Sequence, residues 1–512
     1  MLSTWRTCCS CLSQRWIFAL FAFGGLLLGN SMRVILSISI TEMVTTAREV
    51  IRSTDQTCVA FEKPTLRNVT IVTGKTYDWD EYTQPFLSSQ GIILSSYFWG
   101  YAATQFPFGS LSERFGGKYL MGMGIFIPSM LTFCLPSAVY WGESSALIAL
   151  RVLMGVISGA MYPAVSTMIA KWTVPGERSK LGGFIYAGAV LGTVFGTTMP
   201  AVIIRYSGKG WPAVFYFFGA LGMIWFPFWV LLTFNEPEQH PYISEAELNY
   251  LQENQAERQK KKKAPPAPWG HILASKQFWA FVMALVGCDW AYFTMASDLP
   301  KYMSNVVKFS IEDNGYLSAL PYLCMWFSTL VSSWLSNKIL ERGLISRTNV
   351  LKLLASISLM GPGLFMIGAS YAECDQIMVV VMFIIGMSLM GTSYPSIMVN
   401  NLDLSPNYAG TLMAIGNSVA ALGGIMTPYI VGVFTPEQTI HEWRRVFWIV
   451  LIISVLSNIF FLLYASGEVQ EWDSPDFLRS KKKAAAKEVS GDEAITEKPK
   501  SIITVDLESA RF

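Results

Sequence analysis

"RVLMGVISGAMYPAVSTMIAKW", residues 151–172, reads as a helix destined for lipid, yet it opens on an arginine and contains no acidic residue. A bilayer core takes about 20 apolar residues per helix. A cation inside it costs roughly 2.5–3.5 kcal/mol on insertion scales, so Arg151 must either face a cavity or partner, or snorkel to the headgroups. The choice depends on what surrounds this helix, and the rest of the chain supplies that.

The 512 residues are 52% hydrophobic and only 14% charged, with a mean hydropathy of +0.38. Soluble domains carry about 25% charged residues. Twelve long apolar runs account for the deficit: 16–40, 91–112, 118–139, 145–170, 182–204 and 212–234, then 277–298, 314–336, 351–371, 376–398, 407–430 and 445–466. The expected fold is an all-α membrane protein of twelve transmembrane helices in two six-helix halves. A short N-terminus (1–15) precedes the first half (16–234, with an external loop at 41–90). A polar linker (235–276) leads to the second half (277–466), and a tail of disordered composition (467–512) follows. The first run, with Arg15 before it, has the outline of a secretory signal. It runs on too far, however, and no small-x-small cleavage site follows it.

Arg6, Arg15, Arg114, Lys118, Lys171, Arg178, Lys180, Lys260–Lys263, Lys338, Arg342 and Arg347 fall before the first run, or after the second, fourth, sixth and eighth. The excess of cations assigns those segments and both termini to the cytoplasm. The opposite face then receives 41–90, which holds the sequon Asn68-Val69-Thr70, where a glycan would require it. A net charge of +2 gives no bulk electrostatic case for nucleic acid. Nor does any nucleophile–base pair, phosphate loop or metal-ligand spacing point to an enzyme. Cys8, Cys9 and Cys11 are either palmitoylated or unmodified thiols, and Cys58 and Cys374 fall on one side, where a disulfide could join them.

The halves correspond weakly. "PGERSKLGG" (175–183) and "PNYAGTLMA" (406–414) each place a proline and small residues at the entry to a helix. Repeated halves binding substrate between them are the plan of many secondary transporters. The loop "GSLSERFGGK" (109–118) fits the G-x-L-[small]-[DE]-R-x-G-x-[KR] signature of the major facilitator superfamily. In it, Gly109 lets the helix end meet a neighbour closely, and Glu113 can pair with a cation or a helix N-terminus across the interface. The resemblance makes Gly109, Glu113, Arg114 and Lys118 a cytoplasmic gate latch. "QGIILSSYFWGYAATQFPFG" (90–109), "KWTVPGERSKL" (171–181), "NNLDLSPNYAGTLMAIGN" (400–417) and "GEVQEW" (467–472) further resemble the anion–cation symporter branch. That branch is the sialin, vesicular glutamate and sodium–phosphate cotransporter group, and the likeness extends to sialin and insect phosphate-cotransporter-like members. It implies transport of a small organic or inorganic anion.

Arg33, in "GNSMRVILS", lies about 26 Å from the cytoplasmic end of its helix, and Arg151 about 30 Å from the same side on a helix running the other way. Arginine's planar fork suits a bidentate oxyanion, and the resemblance implies substrate contact at both positions. Snorkelling remains the alternative for each. Tyr97 and Tyr101, four apart on one face, either extend the cavity or are packed. Proton-coupled relatives carry a glutamate and a histidine where this chain has Ser158 and Ser166. The three histidines (His240, His271, His441) all lie outside the apolar runs. One acid, Asp289 in "LVGCDWAYF", sits about 18 Å deep. It could coordinate Na⁺, titrate with H⁺ as the coupling ion, or pair with an arginine. No other cofactor is implied, and the oligomeric state is not legible.

Overall fold

The structure, a computed structural model, describes residues 13–43, 89–254, 267–305, 311–372, 375–435 and 439–473. The sequon at Asn68, the cysteines Cys8, Cys9, Cys11, Cys58 and Cys374, and Lys260–Lys263 lie outside the described residues.

Among those described, all regular structure is helical. The first half consists of α1 (Gln14–Met43), α2 (Ser89–Phe115), α3 (Gly117–Ser158), α4 (Met161–Trp172), α5 (Arg178–Ser207) and α6 (Pro212–Leu232). The linker, polar in sequence, carries two short helices, α7 (Glu245–Asn254) and α8 (Trp269–Ala274). The second half follows as α9 (Lys276–Asn305), α10 (Ile311–Glu341), α11 (Arg347–Tyr371), α12 (Gln376–Met390), α13 (Ile397–Leu404), α14 (Ala409–Phe434) and α15 (Ile440–Tyr464).

Each of the twelve apolar runs falls on helix, but not always on one helix. The third and fourth runs share α3, whose backbone departs from helical values at Glu143 (φ 49°, ψ −137°). The fourth run then breaks at Gly159–Ala160 before α4 resumes. The tenth is likewise interrupted, by a 3₁₀ turn at Gly391–Ser393 between α12 and α13. Both breaks precede a proline, Pro163 and Pro395, which has no N–H to close the helical ladder behind it. Nine described spans are long and apolar enough to cross a membrane, one of them the 56-residue stretch Gly117–Trp172 that holds two runs. Of the other helices, α2 and α10 are 27 and 31 residues long, with more polar side chains along them.

Close approach between helices rests on glycine. A methyl group at Gly188, Gly192 or Gly196 of α5 would fall 2.3 Å, 2.4 Å and 2.9 Å from the α1 backbone. This small-xxx-small stripe lets α1 lie directly on α5, as glycine does between helices in lipid. The two halves meet where α2 packs on α14 and α5 on α10.

Candidate functional site

At one end of the bundle the halves are bolted together. Gly109 of α2 has no room for a Cβ, which would lie 2.5 Å from Ala414 Cβ and 3.0 Å from Gly410 O on α14. That contact brings the carboxylate of Glu113 to the start of α14, where it accepts the backbone N–H of Thr411 at 2.6 Å. A negative charge belongs there, because the first N–H groups of a helix have no internal partner. Arg114, next to it, is exposed. Lys118 is nearly buried, its ammonium 4.5 Å over the Phe234 ring. Gly116, at φ +89°, makes the turn between α2 and α3 that only glycine makes cheaply.

Beside this latch, Arg178 at the start of α5 donates to Leu402 O at 2.7 Å across the interface. Arg347 of α11 holds Asp403 through two bonds of 2.9 and 2.7 Å and reaches Ser179 of the first half at 2.5 Å. Residues 467–473 are part of the same construction, a difference from the tail expected in the sequence to begin at 467. Gln470 N donates to Leu404 O, and Asp473 accepts from Ser405 Oγ and Asn407 N. Trp472 is buried next to Tyr408. Burial, then the carboxylates Asp473 and Glu113, push the Tyr408 phenol up to about 12.

Midway between the ends, a narrow cavity opens between the halves. Arg33 and Tyr101 line it from the first half, and Asp289, Tyr292 and Phe293 of α9 line it from the second. Arg33 and Asp289 are each half-buried. No ion pair within 4.0 Å joins them among the described residues. The Arg33 guanidinium lies 5.7 Å from the Phe98 ring and 5.8 Å from Phe293, two rings that themselves meet edge to face across the halves. Aromatic faces stabilise a cation without neutralising it, so the charge stays available to a bound anion.

The structure therefore gathers Arg33, Tyr101 and Asp289 at one cavity and places Arg151 and Tyr97 one layer behind it. Arg151 is 2% exposed and does not turn outward. Its guanidinium donates to Met32 O at 3.4 Å and Arg33 O at 3.1 Å, and lies 5.1 Å from the Tyr97 ring. Tyr97 in turn stacks on Tyr101. The sequence reading missed the other polar wall residues, Asn30, Tyr162, Ser393, Tyr394 and Asn417. A signal for two of them was present. "GAMYP" (159–163) and "GTSYP" (391–395) share the spacing G-x-x-Y-P, and Tyr162 and Tyr394 enter the cavity from corresponding helix breaks in the two halves.

Comparison with known proteins agrees with this architecture. Residues 74–428 match the profile of the Major Facilitator Superfamily. The chain is 39% identical to sialin of Ovis aries over 472 residues, which cover 91% of this chain and 92% of that protein. It is 31% identical to vesicular glutamate transporter 3 of Danio rerio over 520 residues, covering 98% and 83%. Among solved structures, the proton:xylose symporter XylE superposes with a TM-score of 0.65 over 89% of this chain and 97% of that one. At 14% identity, that match speaks for the fold alone.

Proposed function

The chain belongs to the Major Facilitator Superfamily, and from that premise we propose that it is a secondary active transporter of small anions, working by alternating access between its two halves. It is a multi-pass membrane transporter and not an enzyme. The observation that carries the reading is the cavity between the halves, with the Arg33 guanidinium on its wall and no carboxylate bonded to it among the described residues. Sialin and the vesicular glutamate transporters among its relatives support a small anionic substrate. The latch supports alternating access, since Glu113, Arg178 and Arg347 each reach across the interface at the same end.

Arg33 meets the negative charge of the substrate, with Tyr101 beside it and Arg151 and Tyr97 behind. Asp289 carries the coupling ion, Na⁺ through its hard oxygens or H⁺ by titration. The latch faces the cytoplasm together with both termini, in the plasma membrane or in an endolysosomal or vesicular one. A glycosidase-sensitive gel shift that Asn68→Gln abolishes tests this orientation.

The test of function is anion uptake into proteoliposomes under separately imposed Na⁺ and pH gradients, for the wild type and Asp289→Asn. Uptake driven by one gradient and uncoupled by Asp289→Asn is the expected result. No uptake under either gradient, with anion still bound, would make the protein a ligand-binding sensor instead.

A further inference from the structure

Asn30 lies on α1 three residues before Arg33, and both line the cavity. Residues so spaced share a helix face, their Cβ atoms about 5–6 Å apart. The glycine stripe of α5 brings Asn30 against that helix, where its Nδ2 donates to Ala189 O at 2.6 Å and to Thr193 Oγ1 at 2.7 Å. A carbonyl oxygen can only accept, so the atom facing Ala189 is the nitrogen and the orientation of the amide is fixed. Thr193 Oγ1 bonds in turn to Tyr292 OH at 2.7 Å, tying this wall to the second half. Both amide protons of Asn30 are thus committed. Its Oδ1, in a side chain 2% exposed, has no partner among the described residues. A buried acceptor left unmade costs about 1–3 kcal/mol, and the side chain that carries this one is among those lining the cavity.

We propose that Asn30 is a specificity-determining residue. With the substrate carboxylate on Arg33, its Oδ1 accepts a hydrogen bond from a hydroxyl or amine on the neighbouring carbon. The cavity then selects carboxylates carrying an α-hydroxyl or α-amino group over anions of equal charge without one. The inference rests on the transporter reading above only for the carboxylate on Arg33. A site built around a polar contact rejects the analogue that lacks it, because the buried group is then left unpaired.

The test uses anion pairs differing by one donor: lactate and propionate, malate and succinate, glutamate and glutarate. For each, thermal stabilisation of the purified full-length protein in detergent reports binding, and competition for uptake into proteoliposomes reports transport. In at least one pair, the donor-bearing member is expected to bind and compete at least about tenfold better. Asn30→Leu, which keeps the branched shape but removes the acceptor together with the two amide donors, should bring that ratio close to one. The wild-type comparison decides the matter even if Asn30→Leu fails to fold. Equal affinity within every pair, no stabilisation by any of the six, or an unchanged ratio in folded Asn30→Leu overturns the proposal. Discrimination in binding without uptake upholds the role of Asn30 and sinks the transporter reading instead.

Discussion

The bond from Thr411 N–H to Glu113 is the contact through which the latch is most directly tested. It spans the two halves at 2.6 Å, so it exists only when this end is closed. Glu113→Gln keeps an acceptor of the same shape and removes the charge. A charge-assisted hydrogen bond is about twice as strong as a neutral one, a loss of about 1 kcal/mol. The attraction of a carboxylate to a helix N-terminus adds about 0.3–1 kcal/mol. Together they amount to about 1–2 kcal/mol, a shift of roughly 5–30-fold in the closed-to-open ratio. Ser112 is 0% exposed, bonded to Thr167 inside the closed latch. With the eight native cysteines replaced, a Ser112→Cys probe should react with a membrane-impermeant maleimide only on opening. Labelling from the latch side should accelerate about 5–30-fold when Glu113→Gln is added. A folded double variant labelled at the parent rate would refute the view that this bond holds the halves closed.

Three other outcomes are expected. Asp403→Asn leaves Arg347 a neutral acceptor in place of a carboxylate and removes the counter-ion from Arg178, whose side chain is 6% exposed. Breaking a buried pair costs about 3–5 kcal/mol, and since the Arg347 side chain is 18% exposed, the lower end should show as a marked fall in Tm in detergent. His240 is held below its ordinary pKa by burial, and its Nδ1 accepts the N–H of Tyr242 at 3.2 Å, which requires a neutral ring. The unfolded chain therefore takes up the proton first. Stability from this site is complete above about pH 6.5 and is lost as pH falls below it. Melting curves should be flatter between about pH 7.5 and 5.5 in His240→Phe. Finally, Arg151→Lys exchanges a fork on two carbonyls for a point charge, and loss of one such bond is worth about 1 kcal/mol. Half-maximal uptake should then need roughly fivefold more anion, with the maximal rate less affected.

Much of this fold was written plainly in the chain. Twelve runs sufficed for the helices, because burial in lipid demands length and apolarity and little else. Glu113 was legible as a partner for a helix N-terminus because an acid beside Gly109, at a helix end, has few other uses. The helix breaks were not legible. Periodicity alone carries "RVLMGVISGAMYPAVSTMIAKW" through as one helix, and only Pro163 hints that the ladder fails behind it. Of the linker helices, α7 was hidden by its polarity and α8 by its length of six residues. The packing of 467–473 was hidden as well, since a short polar segment says nothing of the turn it rests on until Gln470 and Asp473 are seen bonded to Leu404 and Ser405. Asn30 was missed for a different reason: an asparagine in an apolar helix reads as a packing residue unless its neighbour on the next helix is known.

The cavity and the layer behind it explain why two arginines in similar surroundings need not do the same work. Both are cations within helices that read as membrane spans, and neither has a carboxylate within 4.0 Å among the described residues. Arg151 is offset by the helix itself: two carbonyl oxygens of α1 and the face of Tyr97 solvate it, and one of those carbonyls belongs to Arg33. Arg33 has two rings and the cavity, and no protein acceptor among the described residues. A cation solvated by fixed dipoles gains little from a passing anion, whereas one flanked by aromatic faces on a cavity wall, with no acceptor bonded to it among the described residues, gains a charge-assisted pair. Differential gain of that kind is what a binding site requires. On the proposed reading the anion meets Arg33 while Arg151 holds the turn of α1 on which Arg33 stands, so losing either should weaken the same binding event through different atoms.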